Sequence, residues 1–169
     1  MKYGVVYFPD KKIQDIANSL RKRYDPHYAL IPPHVTLKEA FEMNDEELEQ
    51  AVNHLDHVSR NTAPFNIRFD KVSSFHPTNN VIYLAITEQE PIKALHAKIN
   101  EQPLHHQNHY AFIPHLTIGQ KLENEELHDV YGRLRMNRFE LSTKVDRFHL
   151  LYQLDNKSWT IYDTFLLQG

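Results

Sequence analysis

The chain holds 169 residues, 41% of them hydrophobic and 24% charged, with a formal net charge of −3, which fits one soluble globular domain spanning 1–169. Cysteine is absent, which excludes disulfides, thiol chemistry and zinc-thiolate sites; no run approaches the roughly 20 apolar residues of a membrane span, and the short apolar start lacks a signal-peptide pattern. The acidic balance speaks against coating of duplex DNA, which calls for a basic stripe, and a cytoplasmic protein is the expectation.

A strand is predicted over 2–8, where Tyr3, Val5 and Tyr7 alternate with Gly4, Val6 and Phe8. Pro9-Asp10 then opens a helix at about 11–23 with Ile13, Ile16, Ala17 and Leu20 at helical spacing, and Asp25-Pro26 ends it. Residues 30–41 are expected to run extended, because Pro32 and Pro33 exclude a helix there. A helix over 44–60 has Asn44 as N-cap, Glu47 three residues on, and a stripe of Leu48, Ala51, Val52 and Leu55. Strands at about 65–75 and 80–86 flank the turn Pro77-Thr78-Asn79-Asn80. The second half offers a helix at 90–100 with Ile92, Leu95 and Ile99 on one face, an extended segment at 111–119, and a helix at 123–136 capped by Asn124. Strands at 139–152 and 157–167 form a hairpin over Asp155-Asn156-Lys157. Two basic clusters, Arg21-Lys22-Arg23 and Arg133, Arg135, Arg138, fall near helix ends, where cations complement the helix dipole without any ligand; steering of phosphate is the competing role.

The two halves, roughly 1–86 and 80–169, echo each other. Ile31-Pro32-Pro33-His34-Val35-Thr36-Leu37 matches Ile113-Pro114-His115-Leu116-Thr117-Ile118, and Val72-Ser73-Ser74-Phe75-His76 matches Val145-Asp146-Arg147-Phe148-His149. This is the pattern of a diverged duplication. Two copies about a pseudo-twofold axis would set equivalent residues face to face across a central groove.

The shared motif is Pro-His-apolar-Thr-apolar, and a random chain of this composition holds roughly 0.005 matches to it. Residues i and i+2 of a strand project from one face, so His34 points with Thr36, and His115 with Thr117. Val35, Leu37, Leu116 and Ile118 point the other way. Two imidazoles on a common groove suit phosphodiester cleavage: near neutrality one can be neutral and take a proton from water while the other, protonated, gives one to the leaving oxygen. The threonine hydroxyls would hydrogen-bond the non-bridging phosphate oxygens. No metal is required by this scheme.

With these paired His-x-Thr-x motifs the chain resembles the 2H phosphoesterase superfamily, which includes 2′,5′-RNA ligases and cyclic nucleotide phosphodiesterases. It is most similar to the small bacterial YjcG-like branch. The resemblance runs from Lys2-Tyr3-Gly4-Val5-Val6 through Ile31-Pro32-Pro33-His34 and Phe112-Ile113-Pro114-His115 to Arg147-Phe148-His149-Leu150-Leu151-Tyr152. It implies a bilobal α+β fold, two antiparallel sheets with outer helices around a cleft, and no cofactor. It also implies His34 and His115 as acid–base pair and Thr36 and Thr117 as phosphate contacts. The expected substrate is a small phosphodiester or an RNA end. An RNA ligase running the same chemistry in reverse and a non-catalytic nucleotide-binding module are the competing readings.

Other residues weigh less. His105-His106-Gln107-Asn108-His109, with His96 nearby, matches no familiar zinc spacing and reads as a solvated loop. His76 and His149, equivalent in the repeat, either line the groove or make structural hydrogen bonds. Tyr7, Phe41, Phe75 and Phe148 read as core before base-stacking residues. Lys38 and Arg147 are candidate phosphate contacts whose face is open, and Ser73-Ser74 lies in no nucleophile-elbow context.

Overall fold

The computed structural model describes residues 1–105 and 111–169. In chain order these form β1 (Lys2–Tyr7), α1 (Lys11–Tyr24), β2 (Val35–Glu42), α2 (Asp45–Arg60), β3 (Phe65–Ser74), β4 (Ile82–Thr87), α3 (Glu90–Ile99), β5 (His115–Gly119), α4 (Asn124–Leu134), β6 (Arg138–Val145), β7 (Arg147–Gln153) and β8 (Trp159–Leu166). The class is α+β, as expected, and every strand pairing among the described residues is antiparallel.

The helices begin where cap chemistry allows. The Asp10 carboxylate accepts from the Ile13 amide at 3.2 Å at the start of α1. Asn44 and Glu47 form a reciprocal capping box on α2, at 2.8 and 3.1 Å. Asn124 is not a cap: Glu123 occupies that position without a side-chain bond, and the Asn124 amide oxygen instead accepts from Asn80 at 2.8 Å. Each helix buries its apolar stripe, and Ile13, Leu55, Ile92 and Leu127 are almost wholly removed from water; such burial stabilises by about 1.5–3 kcal/mol per side chain. α1 packs against β5 and α3 against β2, so each of these helices lies under the other half's motif strand. No helix among the described residues is long and apolar enough to cross a membrane.

The strand order is β6-β3-β4-β5-β2-β1-β7-β8. It consists of two four-stranded antiparallel halves that meet at one ladder pair, Val35 with Leu116. The chain weaves between them: β1 and β2 are completed by β7 and β8, while β3 to β6 build the other half. The strand predicted over 139–152 is therefore two strands. It breaks at Asp146, and β6 and β7 join opposite halves of the sheet. Their surroundings differ accordingly, since β6 alternates exposed and buried residues whereas β7 buries Phe148 to Leu151 in succession.

The registers also correct the second echo. Val6 pairs with Thr36 on one side and His149 on the other; Tyr83 pairs with Thr117 and Ser73. The structural counterpart of His149 is thus Ser73, not His76, which lies beyond the end of β3. Val-x-x-Phe-His spans the end of one strand and the start of another, so the local likeness does not mark equivalent positions.

Candidate active site

The seam between β2 and β5 organises the site. An antiparallel pair centred on Val35 and Leu116 continues outward to set His34 opposite Thr117 and Thr36 opposite His115. Val35, Leu37, Leu116 and Ile118 are fully buried beneath the seam, so pleat alternation sends the four polar side chains to the other face. That face is the floor of a cleft of about 420 Å3, and His34, Thr36, His115 and Thr117 all line it. The structure brings the four sequence-derived residues together.

Both histidines are held alike. The Nδ1–H of His34 donates to the Pro32 carbonyl at 2.8 Å, and that of His115 donates to the Ile113 carbonyl at 2.7 Å. A carbonyl only accepts, so each neutral ring carries its proton on Nδ1 and leaves Nε2 as an available base. Phe75 meets the His115 ring edge-on at 4.9 Å and stacks on Tyr83 at 4.2 Å. Enclosure by protein atoms pushes the His34 imidazole down to about 4; its bond to Pro32 opposes the shift, and the charge of Arg21 and the nearness of His115 add to it. Burial lowers His115 as well, against its bond to Ile113 and the influence of Glu39. Both shifts favour the neutral form of the rings in the free protein. An anion bound between the rings would oppose both shifts.

Next to this pair lies a polar network that sequence patterning misses. Arg21, at the end of α1, is buried and does not serve the helix dipole in solvent. Its Nε donates to Asp25 at 3.3 Å, one terminal nitrogen to Asn18 at 2.8 Å, and the other to the Ile31 carbonyl at 2.7 Å. Asp25 also accepts from the His27 amide at 2.8 Å and from Gln120 at 2.9 Å. Gln120 directly follows β5, so the cluster ties the loop before His34 to the strand of His115. The Arg-x-x-x-Asp spacing was visible in the sequence; the carbonyl and amide it would reach were not.

Lys38 borders the cleft, but a register shift pairs it with core-facing Val5 beside the Val6–Thr36 pair, so its side chain leaves the Thr36 face and turns toward the end of α3. Its ammonium donates to the Leu104 carbonyl at 3.0 Å and lies 4.8 Å from the Phe41 ring centre, and burial lowers its pKa. Arg147, by contrast, pairs with Asp146 at 3.1 Å at the start of β7 and does not line the cleft. His76 bonds Asn80 at 3.1 Å and His149 bonds Thr164 at 2.9 Å; both are structural. Tyr7 and Phe148 are core, whereas Phe75 forms part of the cleft wall. In the second basic cluster Arg133 faces Asp129 at 3.6 Å and Arg135 lies over Tyr131. Ser74 accepts from the His76 amide. His105 is exposed, and the rest of the His105–His109 cluster lies outside the described residues.

The family model of the 2′-5′ RNA ligase superfamily matches residues 8–157. The chain belongs to this family. Relatives at 52% and 53% identity come from Geobacillus sp. (strain WCH70), aligned over 100% of this chain and 98% of its own length, and Bacillus pumilus (strain SAFR-032), over 99% and 98%. Both carry the name "Putative phosphoesterase". Among solved structures, TT0787 of Thermus thermophilus superposes with a TM-score of 0.71 at 18% identity, covering 100% of this chain and 99% of its own. E. coli LigT complexed with 3′-AMP superposes at 0.72 with 14% identity, covering 99% and 98%. These two show the fold; the family match and the close relatives show a phosphoesterase class.

Proposed function

We propose that the protein cleaves a phosphodiester, a 2′,3′-cyclic phosphate on a nucleotide or RNA end, with His34 and His115 as acid–base pair and Thr36 and Thr117 as phosphate contacts. The observation that carries this reading is the antiparallel exchange at the seam, which sets each histidine opposite the other half's threonine with Nε2 free. A phosphoryl group over the seam would meet a base on one side, an acid on the other and two hydroxyl donors between them. Binding of the anionic substrate raises both imidazoles, and the first proton taken up creates the acid. The neutral partner then removes a proton from the attacking water as the acid protonates the departing ribose oxygen. The threonines stabilise charge on the non-bridging oxygens. None of these steps calls on a metal. A 3′-AMP complex of LigT, a protein of this fold, is in keeping with a nucleotide-sized occupant.

The test is hydrolysis of 2′,3′-cyclic nucleotides with and without EDTA, by the wild type, His34→Ala and His115→Ala. Turnover that survives EDTA and is lost in both variants is the expected result. Near-normal rates in either variant would overturn the assignment, and loss of turnover in EDTA would overturn its independence of metal. A 5′-hydroxyl oligonucleotide added to the assay separates ligation from hydrolysis by product length.

A further inference from the structure

A second cavity of about 250 Å3 abuts the cleft, and His27, Leu30, Ile31, Gln153, Lys157 and Trp159 line it. His27, Ile31 and Trp159 also line the cleft itself, so the two spaces share a wall. The cavity is built on firm supports. The Trp159 amide donates to the Leu30 carbonyl at 2.8 Å, which fastens the β7–β8 hairpin to the loop leading to His34. Within the hairpin, the Lys157 amide donates to the Leu154 carbonyl at 2.9 Å and the Leu154 amide to Ser158 at 2.8 Å. Lys157 stands at the turn with φ 74°. The Gln153 side-chain N–H donates to the Lys157 carbonyl at 3.0 Å, leaving its oxygen as an acceptor. Gln120 donates one amide proton to Asp25 and the other to His27 Nδ1 at 3.2 Å, so the neutral His27 ring presents Nε2–H as a donor.

An indole plane, an apolar floor of Leu30 and Ile31, one free amide acceptor, one imidazole donor and one ammonium make the complement of a nucleotide. The plane takes an unpaired base, the polar groups its edges, and the lysine a phosphate. We infer that this cavity is a second nucleotide subsite, and that the preferred substrate is a single-stranded RNA end of at least two nucleotides and not a mononucleotide. The inference rests on the reading of the His34–His115 cleft as the place of phosphoester cleavage; the neighbouring nucleotide would then enter between His27 and Trp159.

Trp159 is the sole tryptophan, so its emission reports on this cavity directly. Titration of the intact protein with an adenosine dinucleotide bearing a 3′-terminal phosphate, against 3′-AMP, should quench the indole and give about 5- to 150-fold tighter binding of the dinucleotide, the worth of one stacked base. The same ratio is expected in kcat/KM for the dinucleotide 2′,3′-cyclic phosphate over 2′,3′-cyclic AMP. Trp159→Ala should bring both ratios toward one, and Lys157→Gly, which suits a positive φ, should lower them without disturbing the turn. Equal affinities for dinucleotide and mononucleotide, or ratios unchanged in Lys157→Gly and Trp159→Ala, would overturn the subsite. If neither cyclic phosphate is cleaved while the dinucleotide still binds preferentially, the proposed catalysis fails and the subsite stands.

Discussion

His34 and His115 differ from ordinary histidines in what their surroundings ask of them. Each spends one nitrogen on a carbonyl two residues back, and each is held below its usual pKa by enclosure. Removing either ring should lower kcat/KM by at least about 10²–10⁴-fold, the scale of a positioned acid or base. Thr36→Val and Thr117→Val keep the shape but lose a donor, and a loss of about 10²–10³-fold in kcat is expected for each. Because the proposed reaction needs one protonated imidazole, kcat/KM should peak below pH 6.5, the ordinary value for histidine, and fall tenfold per pH unit above the upper apparent pKa. That value belongs to the coupled pair. The kcat profile should lie at higher pH, because bound phosphate favours the protonated ring. Stability follows the same logic with a fixed sign. A ring whose folded pKa is lowered to about 4 contributes stability in full above the unfolded value, and that contribution is lost as pH falls from about 6.5 to about 4. A urea series across that window should show a smaller decline in His34→Asn than in the wild type.

At the scale of elements, the end of α1 does more than end a helix. Arg21 and Asp25 are only 2% and 3% exposed at their side chains, and breaking a buried pair by removing one partner costs about 3–5 kcal/mol. Asp25→Ala should show that loss in the urea midpoint. It should also lower turnover, because Asp25 anchors Gln120 and Arg21 grips the Ile31 carbonyl next to the acceptor of His34. Asn44→Ala, which removes a solvent-facing cap, should cost about 1 kcal/mol and leave turnover unchanged. The same elements show how much a linear reading reaches. Four helices and the His-x-Thr strands were legible because stripes, caps and prolines act within a few residues. The break at Asp146 was not, since Leu141, Val145, Leu150 and Leu151 supply apolar residues on both sides of it. The choice between continuing beside β3 and crossing to β1 depends on partners far away in the chain. Simple alternation would put Lys38 on the His34 face; the bulge that pairs it with Val5 and its acceptor, the Leu104 carbonyl, depend on partners that the local sequence does not show.

For the whole molecule, the weaving of the chain ties both halves of the sheet together. β1 and β2 have no complete half without β7 and β8, and α1 and α3 each support the opposite motif strand. Unfolding should be a single transition with coincident midpoints by circular dichroism and Trp159 emission. Residues 1–86 expressed alone should not yield a folded half, and a protease-resistant fragment of that length would contradict this. Cutting the chain in the middle severs sequence copies but not structural ones.

The exchange at the Val35–Leu116 seam has one more consequence. Turned by half a revolution, its His and Thr groups fall on one another, so the floor of the cleft is a palindrome with no inherent direction. A ribose phosphate has direction. On the proposed function, reading sense comes from residues that occur once, among them Trp159 and its neighbours at one end. On that reading they set which histidine faces the entering water, and a variant that erased them is expected to meet its substrate in both orientations.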